Sequence, residues 1–312
     1  MDESVGRILR RQGYALMGDH AAVKLCHWLR ESLVRGRPCY KEVFYGIESH
    51  RCLQMTPWLG CNQECRFCWR YPGWGGSPNL VDPHTMLDRA IDAQRALVSG
   101  YRGVPTVDDA RWQESRVPNQ MAISLSGEPT LYPYLGGLIA AADERGITTF
   151  LVTNGTRSDV LADLDPLPTQ LYISVDAPSE EVYRQLCRPT TGSLWSRLIE
   201  SLDTLNGLDT RTVVRHTLVR GWNMEDVEGY ARLVRRADPD FVEAKGYVFV
   251  GHSRLTMSID AMPSHEEVLQ FSRALARATG YEVTAERPDS RVVLLTKDGR
   301  LPREYRPIGP VK

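Results

Sequence analysis

The chain has 312 residues, of which 42% are hydrophobic and 25% charged, as is ordinary for a globular protein of one large domain or two modest ones. The formal net charge of -1 excludes a uniformly basic nucleic-acid binder, and apolar runs such as residues 292–295 are too short to span a bilayer. Residues 1–12 lack the pattern of an export signal, so we expect a cytoplasmic protein with reduced cysteines and no membrane association.

The charges are unevenly distributed along the chain. Residues 1–52 contain nine Lys or Arg and six Asp or Glu, and residues 285–312 contain seven and four. An uneven solvated surface explains this as well as binding of a polyanion by the two ends does. Lysines are few among the 38 basic residues, namely Lys24, Lys41, Lys245, Lys297 and Lys312.

The first predicted helix begins with Asp19 as its N-cap and runs to about Val34, with Gly36 as its stop. Apolar residues recur in it at helical spacing and place Cys26 on the buried face.

Three cysteines follow one another at intervals of thirteen residues: Cys26, Cys39 and Cys52. A single such cysteine would be a small buried hydrophobic residue. Three of them, directly upstream of a second cysteine-rich stretch, indicate ligands of a metal cluster.

Lys41 lies two residues beyond Cys39, and a solvated lysine is the ordinary explanation. Beside a cluster and away from bulk water, its amine would be less basic and able to condense with a carbonyl. Lys245, near the end of a predicted strand, is the second candidate for this role.

The second cysteine-rich stretch has the spacing C-x3-C-x2-C and comprises Cys61, Cys65 and Cys68. A four-iron cluster normally takes four cysteines, so three would leave one iron open to an exogenous ligand. The alternative is a structural zinc site, which requires four closed ligands and usually regular C-x2-C pairs.

Residues 71–80 are rich in Gly, Pro and aromatic residues and form a candidate lid. Asp82 and Pro83 then predict the N-cap and first residue of a helix that runs to about Ser99. The polar insertion at 100–120 has a short helical pattern near 107–115.

From residue 121 onward, strand and helix patterns alternate. With the run before Cys61, the predicted strands cover residues 53–59, 121–125, 148–152, 171–175, 212–219 and 241–250. The predicted helices between them lie near residues 134–145, 158–164, 179–187, 194–206 and 225–237. A helix near 265–279 and strand-like runs at 281–284 and 292–296 follow.

Six such units predict an α/β fold, an incomplete (β/α)6 barrel of the TIM type with an N-terminal cluster-binding extension. The expected division is an extension with the first three cysteines at 1–52, the barrel at 53–284, and a strand with a basic tail at 285–312. The chemistry of such a barrel lies at the carboxyl ends of its strands.

The first informative strand end carries Ser126, Gly127 and Glu128, where glycine lets the backbone approach a ligand closely. An ordinary turn is the alternative, because Ser-Gly-Glu-Pro alone is a weak motif.

The next two strand ends carry Asn154, then Ser174 and Asp176, which suit hydrogen bonds to ribose and other hydroxyl groups. Capping of the following helices is the competing explanation, chiefly for Thr156 and Ser158. We interpret Cys187 as structural.

The loop at residues 61–68, with Phe67 just before its last cysteine, resembles the signature of the radical S-adenosylmethionine (SAM) superfamily. From about residue 18 to 295, the chain also resembles the tRNA 4-demethylwyosine synthases in their stand-alone archaeal form. The short Arg-rich tail departs from that pattern. The stretches that carry the likeness are the cysteines at 26, 39 and 52 and residues 61–70, 125–130, 153–156, 217–223, 243–253 and 262–265.

The resemblance implies two 4Fe-4S clusters and SAM as cofactors. The open iron of the loop cluster would bind the amino and carboxylate groups of SAM, whose reductive cleavage gives a 5′-deoxyadenosyl radical. The glycine-glutamate motif would hold the methionyl amine, and an external electron donor would supply the electron.

The resemblance also implies a substrate and a reaction. The radical would abstract hydrogen from N1-methylguanosine beside the anticodon of phenylalanine tRNA. Pyruvate, held at the cluster of the first three cysteines and as a Schiff base on Lys41, would contribute two carbons. Loss of its carboxyl carbon and ring closure would give the tricyclic base. Aromatic residues at 69–74 and 247–249 would receive the flipped base, and we expect a monomer.

Two alternatives stay open at this point. One is a radical SAM enzyme with an auxiliary cluster that acts on a peptide or a small metabolite. The other is a non-catalytic metal-binding RNA module. Iron and sulfide near eight per chain, roughly the content of two four-iron clusters, would favour an enzyme, and zinc would favour the module.

Overall fold

The structure is a computed structural model that describes residues 3–71, 79–192 and 194–301. Its described strands form one sheet in the order β1-β2-β3-β4-β5-β6-β7-β8-β10-β9. They are β1 (Ala15–Met17), β2 (Ala21–Val23), β3 (Cys52–Thr56), β4 (Gln120–Ile123), β5 (Thr148–Thr153), β6 (Gln170–Ser174), β7 (Arg211–Leu218), β8 (Phe241–Gly246), β9 (Glu282–Arg287) and β10 (Val292–Thr296).

Strands β3 to β8 are parallel neighbours in chain order, as the alternation of strand and helix patterns predicts. The edges of the sheet are antiparallel, with β1 and β2 beside β3, and β10 and β9 beside β8. The carboxyl ends of six parallel strands therefore meet at one edge, where the candidate site residues follow them.

The described helices are α1 (Glu3–Arg11), α2 (His27–Arg35), α3 (Tyr40–Tyr45), α4 (Pro83–Val98), α5 (Asp109–Ser115), α6 (Leu135–Asp143), α7 (Ser158–Ala162), α8 (Glu180–Leu186), α9 (Leu194–Leu205), α10 (Val227–Ala237) and α11 (His265–Thr279). Asp82 caps α4 by accepting a hydrogen bond from the Thr85 N–H, as predicted. In the described ranges, no helix combines the length and apolar character that a membrane crossing requires.

The predicted helix from Asp19 to Val34 is wrong in its first half. Residues Ala21–Val23 form β2, which pairs with both β1 and β3, and α2 begins only at His27. Pairing on both sides satisfies the backbone groups of this buried segment, so tertiary context overrides its helical periodicity. Cys26 is consequently the N-cap of α2, while Gly36 ends the helix in the left-handed region with φ 65°, as predicted.

Two predicted strands are shorter than expected. The strand before Cys61 stops at Thr56, because the Leu59 N–H is donated to the His20 carbonyl instead of to a neighbouring strand. The strand predicted at 241–250 ends at Gly246, and a short 3-10 turn begins at Gly251. Helix α1 and strand β1 are not foreseen by the sequence reading.

Both faces of the parallel strands are buried, and alternate residues serve different cores. On β6, Leu171 and Ile173 pack with the outer helices, whereas Tyr172 points to the opposite face. There an aromatic cluster joins α3 to the sheet: Tyr40, Phe44, Tyr45, Phe150, Tyr172 and Phe241. The cysteine-bearing N-terminal segment is thus packed directly onto the inner face of the sheet.

Candidate active site

The first cysteine site, called the loop group, lies between β3 and α4 and comprises Cys61, Cys65 and Cys68. Its backbone is fastened to neighbouring strand ends. The Gly60 carbonyl accepts from the Glu128 N–H at 2.7 Å, and the Arg66 N–H donates to the Leu186 carbonyl at 2.9 Å. The loop is therefore held by the segments that follow β4 and β6.

Gly127 has φ +67°, and a Cβ there would lie 2.1 Å from the Trp58 carbonyl oxygen and 2.5 Å from that of Gly60. Only glycine fits this close approach. The predicted backbone approach is present, and the partner that the structure describes is the backbone that leads into the cysteine loop. The adjacent Ser126 is buried, and its carbonyl accepts from the Thr56 hydroxyl at 2.5 Å.

Glu128 is buried, and its carboxylate accepts hydrogen bonds from the hydroxyls of Thr130 (2.7 Å) and Thr153 (2.6 Å). The Asn154 N–H donates to the same carboxylate at 2.7 Å. Burial raises the pKa of Glu128, although these hydrogen bonds oppose the rise. The carboxylate thus ties the ends of β4 and β5 together beneath the loop group.

The Asn154 side chain reaches the loop group directly. Its amide donates to Asn62 Oδ1 at 2.9 Å and lies 3.8 Å from Cys61 Sγ in hydrogen-bonding geometry, while its oxygen accepts from the Thr156 hydroxyl at 2.6 Å. A hydrogen bond to a ligating sulfur is typical of the surroundings of a metal cluster.

Asp176 follows β6, and its carboxylate accepts from the Thr217 N–H at 2.6 Å. Burial raises the pKa of Asp176 to about 6. Ser174 ends the same strand and is half-buried. Cys187, interpreted as structural, is buried and shares a hydrogen bond with Cys65, which raises the pKa of the Cys65 thiol.

The second cysteine site, called the capping group, comprises Cys26, Cys39 and Cys52. Cys26 and Cys39 are the N-caps of α2 and α3, and Cys52 is the first residue of β3. Burial raises the pKa of Cys39 and of Cys52 to about 12, and the nearby Cys26 thiol adds to both shifts. The fold therefore brings together three thiols that are distant in sequence.

Thiol spacing bears on the kind of metal centre. Among the described residues, the group of potential ligands whose atoms all lie within 4.8 Å of one another is Glu48, His50 and Glu114, which is an ion-pair cluster rather than a cysteine site. Two thiolates bound at about 2.3 Å to one zinc ion can be no more than roughly 4.6 Å apart. In neither cysteine group do all three sulfur atoms lie within 4.8 Å of one another.

Lys41 lies in α3 with only 8% of its surface exposed. Its ammonium sits 4.7 Å from the centre of the Tyr172 ring and 5.2 Å from that of Phe150. Burial lowers the pKa of Lys41, while the nearby Cys39 and Cys52 thiols oppose the shift. This placement beside the capping group is the one that the sequence predicts.

Lys245 lies on β8 and faces the same region. Its Nζ donates to the Ser290 carbonyl at 2.7 Å and sits 5.2 Å from the centre of the Tyr40 ring. Burial, with a further contribution from the charge of Arg215, lowers its pKa to about 8.

Near both lysines is a polar pair, Arg215 and Glu243, that no sequence motif identifies. Glu243 is fully buried and accepts hydrogen bonds from the hydroxyls of Tyr45 (2.6 Å) and Tyr40 (3.2 Å). Arg215 is its register partner on β7. Charged residues inside predicted strands could have revealed this pair, because a buried ion needs a partner of opposite charge or hydrogen bonds.

The fold and the site define a radical SAM protein: six parallel strands, a three-cysteine loop after the first, and a glycine-glutamate turn after the second. The sequence matches the profile of the radical SAM superfamily over residues 55–234 and that described as "Wyosine base formation" over residues 236–297. SAM and an iron–sulfur cluster are the cofactors of this superfamily. More narrowly, the chain belongs to the tRNA 4-demethylwyosine synthase family.

Two relatives illustrate this membership, and the chain matches most of the first and less than half of the second. The chain is 48% identical to the S-adenosyl-L-methionine-dependent tRNA 4-demethylwyosine synthase of Pyrococcus abyssi, over 96% of this chain and 90% of that protein. The chain is 43% identical to the protein of that name in Oryza sativa subsp. japonica, over 93% of this chain. The match covers 45% of the Oryza protein.

Solved structures of relatives agree in fold. The structure described as "Structure of TYW1 with a lysine-pyruvate adduct bound" superposes on this chain with a TM-score of 0.90 at 38% identity. The match covers 97% of this chain and 99% of that one. "Crystal structure of archaeal TYW1" superposes with a TM-score of 0.81 at 36% identity, covering 96% and 98%. The predicted α/β class and family are thereby confirmed.

Proposed function

We propose that this chain converts N1-methylguanosine beside the anticodon of phenylalanine tRNA into 4-demethylwyosine, with pyruvate as the two-carbon donor. Family membership supports the tRNA-modifying activity. The lysine-pyruvate adduct named for a relative that is 38% identical supports pyruvate. The observation that carries the proposal is a buried lysine amine beside a second group of three cysteines.

We propose that the loop group holds the cluster at which SAM binds and that the capping group holds a second 4Fe-4S cluster. When bound, the first cluster and SAM supply a carbon radical that can remove a hydrogen atom from the substrate methyl group. The proposed contacts to SAM are Ser126, Gly127, Glu128, Asn154, Ser174 and Asp176.

Lys41 is our candidate for the Schiff base. Its amine must be neutral to attack the keto carbon of pyruvate, and the condensation releases one water molecule. Burial favours the neutral form, because it lowers the pKa of Lys41. Lys245 is the alternative, but its Nζ already donates to the Ser290 carbonyl.

The partners and architecture that the resemblance implies belong to the same proposal. These are tRNA, an external electron donor, a cytoplasmic monomer, the six-unit partial barrel and its boundaries after residues 52 and 284. Of the aromatic residues proposed to receive the base, Tyr247 is buried and Phe249 lies under the Arg254 guanidinium at 5.7 Å. Residues 72–78 of the candidate lid at 71–80 and the tail beyond residue 301 lie outside the described residues.

An anaerobic assay tests the proposal with reconstituted enzyme, SAM, dithionite, pyruvate and tRNA that carries N1-methylguanosine, followed by mass spectrometry of the nucleosides. We expect 4-demethylwyosine only when every component is present. Omission of pyruvate should leave 5′-deoxyadenosine formation but no tricyclic base. Intact methylated guanosine in the complete mixture, despite SAM cleavage, would show that the substrate assignment is wrong.

A further inference from the structure

Arg215 stands out because its buried Nε–H lacks a hydrogen-bond acceptor in the part of the chain that the structure describes. It lies on β7, and 22% of its side chain is exposed. Its Nε is buried and has no hydrogen-bond partner among the described residues. Buried donors are ordinarily satisfied, so an unpaired one next to a reactive lysine indicates a missing acceptor.

The neighbouring carboxylates do not supply that acceptor. Glu243 Oε2 lies 4.0 Å from Arg215 Nε, which is beyond hydrogen-bonding distance, and the hydroxyls of Tyr40 and Tyr45 already donate to this carboxylate. Asp176 accepts from the Thr217 N–H. Glu243 thus provides a counter-charge that orients the guanidinium while its N–H groups remain available.

Arg215 also lies near both candidate amines, since its charge acts on Lys41 and on Lys245. Register places Arg215 beside Glu243, and Lys245 lies on the same face of β8 two residues further along. Arg215 is therefore in the same small region as both candidate amines.

We propose that Arg215 binds the carboxylate of the 2-keto acid whose keto carbon condenses with the lysine. This inference rests on the proposed function and deepens it by naming a specificity-determining residue. A guanidinium presents paired N–H donors that match the two oxygens of a carboxylate, and an ammonium does not reproduce that fork. The expected selectivity is for a 2-keto acid over a neutral carbonyl compound of the same shape.

The test measures the lysine adduct instead of tRNA turnover. Reconstituted enzyme is incubated with increasing pyruvate, reduced with borohydride and analysed by mass spectrometry for an addition of about 72 mass units, the mass of a reduced imine. In Arg215→Gln, we expect the half-saturating pyruvate concentration to rise about 10- to 100-fold, with the same adduct yield at saturation. Pyruvamide, which lacks the carboxylate, should be trapped equally well by this variant and the native enzyme.

Arg211→Gln is the matched control. Arg211 lies on the same strand and also has buried N–H groups without partners, but it packs over the rings of Tyr45 and Phe241. We expect Arg211→Gln to have the same half-saturating pyruvate concentration as the native enzyme. Iron content and thermal unfolding are measured for each variant, because loss of a purely structural arginine would change those without changing the preference for pyruvate over pyruvamide.

A native half-saturating concentration and an unchanged preference for pyruvate in Arg215→Gln would overturn the inference. If Arg215→Gln does not fold, the same measurement is made on Arg215→Lys. A rise in its half-saturating pyruvate concentration would support carboxylate binding by Arg215. Absence of any adduct in the native enzyme would overturn the proposed function and this inference together. An adduct that forms equally well in Arg215→Gln would overturn this inference but not the proposed function.

Discussion

The loop group takes its cysteines from residues 61–68, whereas the capping group takes them from two helix N-caps and the start of a strand. The loop group adjoins hydrogen-bonding groups, the Glu128 carboxylate and the Asn154 amide. The capping group adjoins Lys41 and the aromatic inner face of the sheet. One site is suited to holding a polar cofactor, and the other to carbonyl chemistry in reduced contact with water.

The difference shows how position in the fold assigns chemistry to similar ligands. Both groups offer three thiols, but the amines of Lys41 and Lys245, whose pKa values burial lowers, adjoin the capping group. If the two sites have the distinct roles that we propose, removing each group must have distinct consequences.

The largest effect is expected from the loop group. Replacing Cys61, Cys65 or Cys68 with Ala should abolish 5′-deoxyadenosine formation, because the cluster loses one of its three proposed protein ligands. Chromatographic quantification of deoxyadenosine after anaerobic incubation with dithionite measures the effect. Cys187→Ala is the control, since this buried thiol contacts Cys65 but is not a proposed ligand, and it should retain the cluster absorbance. Undiminished cleavage in a loop-group variant would contradict the assignment.

Removing the capping group should separate the two activities. The triple variant with Ala at Cys26, Cys39 and Cys52 should lose about half of its iron, if both clusters hold equal numbers of irons. It should still form deoxyadenosine slowly but should not modify tRNA. Iron analysis and nucleoside mass spectrometry check both expectations. Unchanged iron would identify these cysteines as structural thiols and remove the basis for pyruvate binding there.

Lys41→Arg sharpens the comparison further, because it alters only the reactive amine. The variant should keep both clusters and cleave SAM but form neither the reduced pyruvate adduct nor the product, since arginine remains protonated. In the native enzyme, adduct formation should increase as pH rises and level off below the ordinary lysine pKa of about 10.4, because burial lowers the pKa of Lys41. An adduct on Lys245, with Lys41→Arg still active, would transfer the role to β8.

How much of this the sequence predicts depends on whether the information is local. The loop group has a contiguous motif, and helix α11 (His265–Thr279) matches its predicted bounds because Ser264 and Glu267 form a capping box and Gly280 ends it. The fold class follows from the alternation of elements. These features need only neighbouring residues to be recognised.

Features that depend on distant partners are not predicted. Strand β2 has a helix-like pattern and becomes a strand only because β1 and β3 flank it. Arg215 and Glu243 are ordinary charged residues until the register of β7 and β8 sets them side by side. The even spacing of the three capping-group cysteines anticipates their proximity, yet the predicted helical setting of Cys26 is wrong.

A smaller effect on stability is expected at the glycine that supports the loop group. Gly127→Ala should destabilise the fold by more than the roughly 1–2 kcal/mol of a left-handed non-glycine residue, because its Cβ would collide with the Trp58 carbonyl at 2.1 Å. Gly13→Ala is the control, since Gly13 also has positive φ (83°) but a Cβ there would meet no heavy atom within 4 Å. The temperature of thermal unfolding should therefore fall further for Gly127→Ala, and equal shifts would argue against the steric explanation.

The smallest expected effect concerns the basic C-terminal end, which has no part in the roles proposed for the two cysteine groups. Residues 300–312 contain four basic residues and one acidic residue. If they neutralise tRNA phosphates, their deletion should weaken tRNA binding and lower the slope of log affinity against log salt by about 0.7–0.9 for each phosphate that is no longer neutralised. A full-length variant with Gln at Arg300, Arg303, Arg306 and Lys312 separates charge from chain length and should reproduce the deletion. Pyruvate adduct formation should be unchanged in the Gln variant, because the residues proposed for it, the capping group, Lys41 and Arg215, are all retained. Native affinity and an unchanged salt slope would show that the tail does not contribute to tRNA binding, and the basic N-terminal residues would then be the next to test.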